Sequence, residues 1–268
     1  MKQMIKAVML DWAGTMVDYG CFAPLNVFME VFHRRDISIT VDEARAPMGM
    51  LKRDHIKAIC QMERVSQLWV DKFGSIPGEA EIDALYADFE PLLFETLHEY
   101  ATPIPGAVAL VERLRAQGIA IGSTTGYTRE MMDIVTAEAS KLGYAPDSLV
   151  TPSEVPAGRP APWMIYQNAM QLNVYPMYHI VKAGDTVSDI LEGVHAGCWS
   201  VGVLLGSSEL GMTEEEVVNC DPQTLESRKA VVAERFRAAG AHMIIESIGQ
   251  LDGAITEINQ RLAGGERP

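Results

Sequence analysis

Ala7-Val-Met-Leu-Asp-Trp-Ala-Gly-Thr15 decides how the rest of the chain is read. Four apolar residues in a row suit a buried strand. Asp11 is the first polar side chain beyond them, and Gly14 allows the chain to turn. Similar apolar runs recur as Ile119-Ala-Ile-Gly-Ser123, His179-Ile-Val-Lys-Ala183, Trp199-Ser-Val-Gly-Val203 and His242-Met-Ile-Ile245. Helical patterns lie between and after them, over residues 107–117, 130–142, 163–172, 187–196, 229–239 and 248–262. Strands and helices alternating at this spacing predict an α/β fold, a doubly wound parallel sheet covered on both faces. In such sheets ligands bind beyond the carboxyl ends of the strands, which makes Asp11, Thr124, Thr125 and Asp185 candidates.

One stretch breaks the alternation. From Pro24 to about Tyr100 only helical patterning is visible, and both edges carry linker chemistry: Tyr19-Gly-Cys-Phe-Ala-Pro24 before it and Ala101-Thr-Pro-Ile-Pro-Gly106 after it. The expected division is an α/β core from residues 1–20 and 101–268 with an inserted all-helical cap of residues 21–100. An insertion directly after the first strand sits over the carboxyl edge of the sheet, the place for a mobile cap that closes on an active site.

Composition narrows the partners. With 268 residues and 48% hydrophobic residues, a sizeable core is affordable and overall disorder is excluded. A formal charge of -14 with no Lys/Arg stripe argues against nucleic acid. A small anionic substrate therefore needs local cations: a metal, an Arg, a Lys or a helix N-terminus. No apolar run approaches the roughly 20 residues of a membrane span, and the apolar run after Lys6 is cut short by Asp11 before it reaches the length of a signal segment. Cys21, Cys60, Cys198 and Cys220 form no CxxC pair, which fits a reduced, cytoplasmic setting.

Several residues then acquire roles together that none has alone. Asp11 and Asp185, at the ends of two apolar strands, form with water a hard oxygen site suited to Mg2+, although Asp185 by itself is an ordinary helix cap. Asp189 lies one helical turn further, in Gly184-Asp-Thr-Val-Ser-Asp189. Ser123-Thr-Thr-Gly126 offers hydroxyls and backbone N–H groups to a phosphoryl oxygen, and Arg159, in a proline-stiffened loop, offers a cation. Asp11-Trp-Ala-Gly-Thr15, Ser123-Thr-Thr-Gly126, Arg159 and the Gly184–Asp189 stretch, in this order, resemble the motifs of the haloacid dehalogenase superfamily over nearly the whole chain. The resemblance implies a Rossmann-like core, Asp11 as phosphoryl acceptor, Thr125 as phosphoryl ligand, Arg159 where Lys is usual, and Asp185 as metal ligand.

The departure from the pattern carries the substrate reading. Phosphatases of this superfamily place a second Asp two residues after the nucleophile to protonate the leaving oxygen; here that position is Ala13, which retains only its backbone carbonyl for the metal. Losing a general acid costs roughly 10²- to 10⁴-fold for an ester. Lys52 in Met48-Gly-Met-Leu-Lys-Arg-Asp-His55 suggests another way to activate the leaving group. That stretch, like the Asp11-Trp-Ala-Gly-Thr start, looks like that of the superfamily's carbon-phosphorus-cleaving members, which act on phosphonoacetaldehyde. An amine condensed with an aldehyde accepts the electron pair that a carbanion would otherwise have to hold. The resemblance also implies Met48, Gly49, His55, Cys21 and Tyr127 near the substrate, a small-molecule phosphonate, and a homodimer through the cap, for which Leu25, Phe28 and Phe32 are candidate contacts. Read without company, Lys52 is a solvated helix residue, His55 a surface His and Tyr127 an exposed Tyr. Two rival functions remain: a magnesium-dependent phosphatase or phosphotransferase acting on a small ester, against which Ala13 argues, and a nucleotide-binding module, for which no GxGxxG or GxxxxGK[ST] follows the first strand.

Overall fold

The computed structural model describes residues 5–268; residues 1–4, the start of the expected core segment 1–20, lie outside the described residues. Strands β1 (Ala7–Leu10), β2 (Ala120–Thr124), β3 (Ser148–Val150), β4 (Ile180–Gly184), β5 (Trp199–Val203) and β6 (Met243–Ile245) form one sheet in the order β3-β2-β1-β4-β5-β6. Every pairing is parallel. Leu10 is in register with Ser123 on one side and Ala183 on the other, so the ends of β1, β2 and β4 lie level. The connection after β1 runs to β2 on one side and the connection after β4 runs to β5 on the other, which opens a crevice between β1 and β4, the place where doubly wound sheets hold ligands.

All four residues of β1 are buried, as a strand covered on both faces requires. Their alternation still sorts them: Val8 and Leu10 join the cluster containing Leu110, Val111, Ile255 and Ile258, while Ala7 and Met9 join Ile165 and Ala169 on the other face. The helices that supply these faces are α6 (Ala107–Ala116), α7 (Arg129–Lys141), α8 (Trp163–Gln171), α9 (Val187–Ala196), α11 (Pro222–Ala238) and α12 (Leu251–Ala263). The edge strand β3 and the short helix α10 (Glu214–Asn219) carry no legible pattern, because three and six residues are too few to show a period. Helix α11 begins seven residues before the expected Lys229, started by Asp221, whose side chain accepts the Thr224 N–H, and by Pro222 in the first turn.

Between β1 and α6 the chain is helical: α1 (Phe22–His33), α2 (Val41–Arg45), α3 (Lys52–Cys60), α4 (Glu63–Phe73) and α5 (Glu79–Thr96). The expected linker before it is a built turn. The Asp18 carboxylate accepts the N–H groups of Phe22 and Ala23 at 3.0 and 3.1 Å, and Pro24 falls inside the first turn of α1, where its missing N–H costs nothing. Leu25, Phe28 and Phe32 are buried within the chain, with Phe28 stacked on Phe89 at 4.5 Å, so none is left over for a partner's surface. No helix of the described residues is long and apolar enough to cross a membrane.

Candidate active site

The end of β1 and the segment after β4 bring carboxylates together. The Asp11 N–H donates to the Ala183 carbonyl at 3.0 Å, which seats Asp11 beside β4. Beyond it the Trp12 carbonyl accepts from Thr15, Met16 and Val17, a tight turn that contains Ala13 and points the Thr15 hydroxyl to Asp185 Oδ1 at 2.9 Å. Asp185 Oδ2 accepts from the Ser208 N–H and hydroxyl at 2.9 and 2.8 Å. The helix cap is Thr186, which forms a capping box with Asp189, so Asp185 is not used as the cap of α9.

Carboxylate oxygens of Asp11, Asp185 and Asp189 lie within 4.8 Å of one another, all buried. Burial, helped by the charges of Asp11 and Asp189, holds the Asp185 carboxyl well above the usual range, against the two Ser208 donors. Asp189 goes the other way: burial would raise it, but Arg159 and Lys182 outweigh burial and hold it low. Asp11, Asp189 and Glu192 pair with the two cations Arg159 and Lys182, and Asp185, which pairs with neither, adds a fourth acidic group, an excess of acid over base. A hard divalent cation among oxygen donors suits that excess, and the residues present therefore fit one.

Arg159 is clamped rather than solvated. Its guanidinium reaches Asp11 at 2.7 Å, Asp189 at 2.9 Å and Glu192 at 3.0 Å, and also donates to the Thr124 hydroxyl at 2.7 Å. Burial works to lower its pKa, but the three carboxylates win and raise it, so it is a permanent cation. Lys182, unread from sequence, stands behind this array with Nζ 2.8 Å from Asp189, 3.3 Å from Glu192 and 2.9 Å from the Thr124 hydroxyl. Its signal was a lysine inside an otherwise apolar strand; Glu192 is one helical turn after Asp189 on α9, and Ser208 had no sequence signal. Thr125 lies beside these groups, buried, its hydroxyl accepting the Tyr127 N–H at 3.1 Å.

The helical segment contributes the amine. Lys52 is the first residue of α3 and only 3% exposed, not solvated. Its Nζ lies 4.8 Å from the centre of the Tyr127 ring and 5.9 Å from that of Phe28; among the described residues no carboxylate comes within ion-pairing distance of it. Burial lowers its pKa; the nearby Cys21, Asp11 and Asp18 act in the opposite direction without offsetting it. His55 and Tyr127 are buried too, against the surface readings. Burial and the Lys52 charge keep His55 neutral, with Nε2–H donating to the Ala44 carbonyl at 2.8 Å, which makes its buried, unpartnered Nδ1 an acceptor. Burial pushes the Cys21 thiol and the Tyr127 hydroxyl well up, so both stay protonated. Met48 is buried, and Gly49 and Gly126 explain how the segment meets the sheet edge so closely. A Cβ on Gly49 would sit 2.5 Å from the Thr186 hydroxyl, and one on Gly126 2.6 Å from the Met50 carbonyl.

Comparison with known proteins agrees with this geometry. The family model for haloacid dehalogenase-like hydrolases matches residues 5–197. A phosphonoacetaldehyde hydrolase of Bacillus cytotoxicus is 58% identical over 96% of this chain and 97% of its own length. A bifunctional phosphonoacetaldehyde hydrolase/aminoethylphosphonate transaminase of Clostridioides difficile is also 58% identical over 96% of this chain, which spans 40% of that longer protein. The crystal structure of a phosphonoacetaldehyde hydrolase-like protein from Oleispira antarctica superposes with a TM-score of 0.95 at 37% identity, covering 98% of this chain and 96% of that one. Carboxylates at the crevice between β1 and β4, the fold around them and these likenesses agree: the chain belongs to the haloacid dehalogenase-like hydrolase family, on the branch of its phosphonoacetaldehyde hydrolases.

Proposed function

We propose that this chain hydrolyses the carbon-phosphorus bond of phosphonoacetaldehyde to acetaldehyde and phosphate. The observation that carries the reading is a buried lysine of lowered pKa, Lys52, set beside the aspartate site in a chain whose position 13 is Ala. The names of full-length relatives from Bacillus cytotoxicus and Bacillus mycoides, both phosphonoacetaldehyde hydrolases, support the substrate. The transaminase fused to the Clostridioides difficile relative supports a supply by transamination of aminoethylphosphonate.

Lys52, neutral, adds to the aldehyde carbon, and with one proton taken up the adduct releases water, leaving a protonated imine. Asp11 attacks phosphorus, the carbon-phosphorus pair flows into the imine to give an enamine, and Asp11 carries the phosphoryl group. Water hydrolyses the aspartyl-phosphate to phosphate. Protonation of the enamine carbon restores the imine, whose hydrolysis frees acetaldehyde and Lys52. His55 Nδ1, as acceptor, and the protonated Cys21 and Tyr127 are the groups for the proton transfers. Arg159 neutralises the transferring phosphoryl group, and Thr125, with Gly49 and Met48 at the segment's edge, positions it. Asp11, Asp185 and the Ala13 carbonyl would hold Mg2+, which supplies charge neutralisation for the phosphoryl oxygens. Asp189 supports the site by holding Arg159. Residues 21–100 act as a cap over a core of 1–20 and 101–268, the working state is a homodimer, and the four unpaired cysteines support a reduced, cytoplasmic setting.

Borohydride trapping tests the reading. Incubation with phosphonoacetaldehyde followed by reduction should inactivate the enzyme and leave a mass adduct on the peptide bearing Lys52. Acetaldehyde release without any adduct would remove Lys52 from the chemistry.

A further inference from the structure

Arg45 ends α2 in the helical segment, yet its side-chain hydrogen bonds lie outside it. Nη1 donates to two backbone carbonyls, Gly20 at 2.8 Å and Ser208 at 2.9 Å. The guanidinium sits 5.0 Å from the centre of the Phe22 ring, and Gly211 passes so close that a Cβ there would lie 3.0 Å from Nε. One atom thus ties together the last turn of α2, the turn before α1 and the loop after β5. That loop carries Ser208, whose N–H and hydroxyl hold Asp185 Oδ2.

The rest of the guanidinium is poorly served, since Nε and Nη2 are buried without hydrogen-bond partners. Leaving buried donors unpaired costs stability, so a residue selected only to tie the segments together is poorly matched to this place. Departures of that kind are expected where position matters more than stability.

We propose that Arg45 is a positioning residue that couples the placement of the helical segment to the carboxylate of Asp185, through the backbone of Ser208. The inference rests on the reading of Asp185 as a cation ligand. Withdrawing α2 from the core takes the donor from the Ser208 carbonyl and loosens the loop that orients Asp185. Seating the segment restores it, so cation affinity and closure over the substrate reinforce each other.

The experiment is titration of the full chain with Mg2+ alone by calorimetry, with thermal melting as a check on folding. It compares the native chain with Arg45→Met, Arg45→Lys, Ser208→Ala and Asp185→Asn, and the double variant Arg45→Met/Ser208→Ala. Arg45→Met is expected to weaken Mg2+ binding about tenfold, the lower end for groups that orient a metal ligand from outside. Arg45→Lys, which keeps the charge and one donor, should recover part of it. The double variant should lose less than the product of the two single effects, because both act through one loop. A lower melting temperature in both Arg45 variants with unchanged Mg2+ affinity would overturn the coupling and leave Arg45 a structural tie. Unchanged Mg2+ binding in Asp185→Asn would instead overturn the ligand assignment, a different failure with its own signature.

Discussion

Lys182→Met removes one of the two cations that pair with three buried carboxylates, Asp11, Asp189 and Glu192. The lysine side chain is fully buried, with Nζ 2.8 Å from Asp189 and 3.3 Å from Glu192. Without it Arg159 alone must neutralise both, while also serving Asp11 at 2.7 Å. Methionine fills a similar volume, so the cost is chiefly electrostatic: about 3 to 5 kcal/mol for breaking a buried pair and leaving its partner uncompensated. Glu192→Gln removes one negative charge but keeps an oxygen for the Arg159 Nε–H and the Thr124 hydroxyl. Combining the two changes should therefore cost about 1 to 3 kcal/mol less than their sum. Urea unfolding at constant m-value measures all four corners of the cycle. Turnover should follow the same order, since an Arg159 drawn toward Asp189 and Glu192 leaves Asp11. A loss below about 1 kcal/mol for Lys182→Met, or strict additivity, would refute the balance drawn here.

Two further outcomes concern titration and one concerns fit. Burial raises the Asp18 carboxyl from 3.8 to about 6. A raised pKa means stability present in full below the unfolded value and lost as pH rises through about 6, a penalty of about 3 kcal/mol above that range. Asp18→Asn gives up one of the two oxygens that accept the Phe22 and Ala23 N–H groups but removes the titration, so its stability relative to the native chain should be higher at pH 8 than at pH 5, as chemical unfolding at the two pH values would register; the same difference at both would disprove it. Lys52 has a lowered pKa and must be neutral to attack, so kcat/KM should fall as pH drops through its folded value, and the limb should vanish in single-turnover reactions of a Lys52→Met variant, which retains only background rates. Gly126→Ala places a methyl against the Met50 and Gly49 carbonyls at 2.6 and 3.0 Å, backbone that cannot swing aside. It should cut kcat/KM about 10²-fold with an unchanged circular dichroism spectrum, and near-native kinetics would contradict the close docking.

How much was legible depended on how local each cause is. The apolar runs that became β1, β2, β4, β5 and β6 are visible because a strand buried on both faces needs an unbroken apolar stretch, and β3 escaped because three residues carry no pattern. Asp11, Thr125, Arg159 and Asp185 were readable because each stands beside a strand end or in a motif of fixed spacing. The same reading put Lys52, His55 and Tyr127 on the surface when read alone, and all three are buried. Burial is a property of what packs on a residue, and Tyr127 and Phe28, which meet Lys52, lie 75 residues after it and 24 before it.

Short-range periodicity and backbone chemistry are enough to dictate the alternation of strand and helix, the helical stretch between β1 and α6, and the carboxylates that end β1 and follow β4. Tertiary structure alone decided that Lys182 and Glu192 stand behind Arg159, that Ser208 holds Asp185 across 23 residues, and that Arg45 reaches the same loop across 163. Those contacts join residues far apart in the chain, and no local pattern encodes a distance that only the folded sheet and its loops bring about.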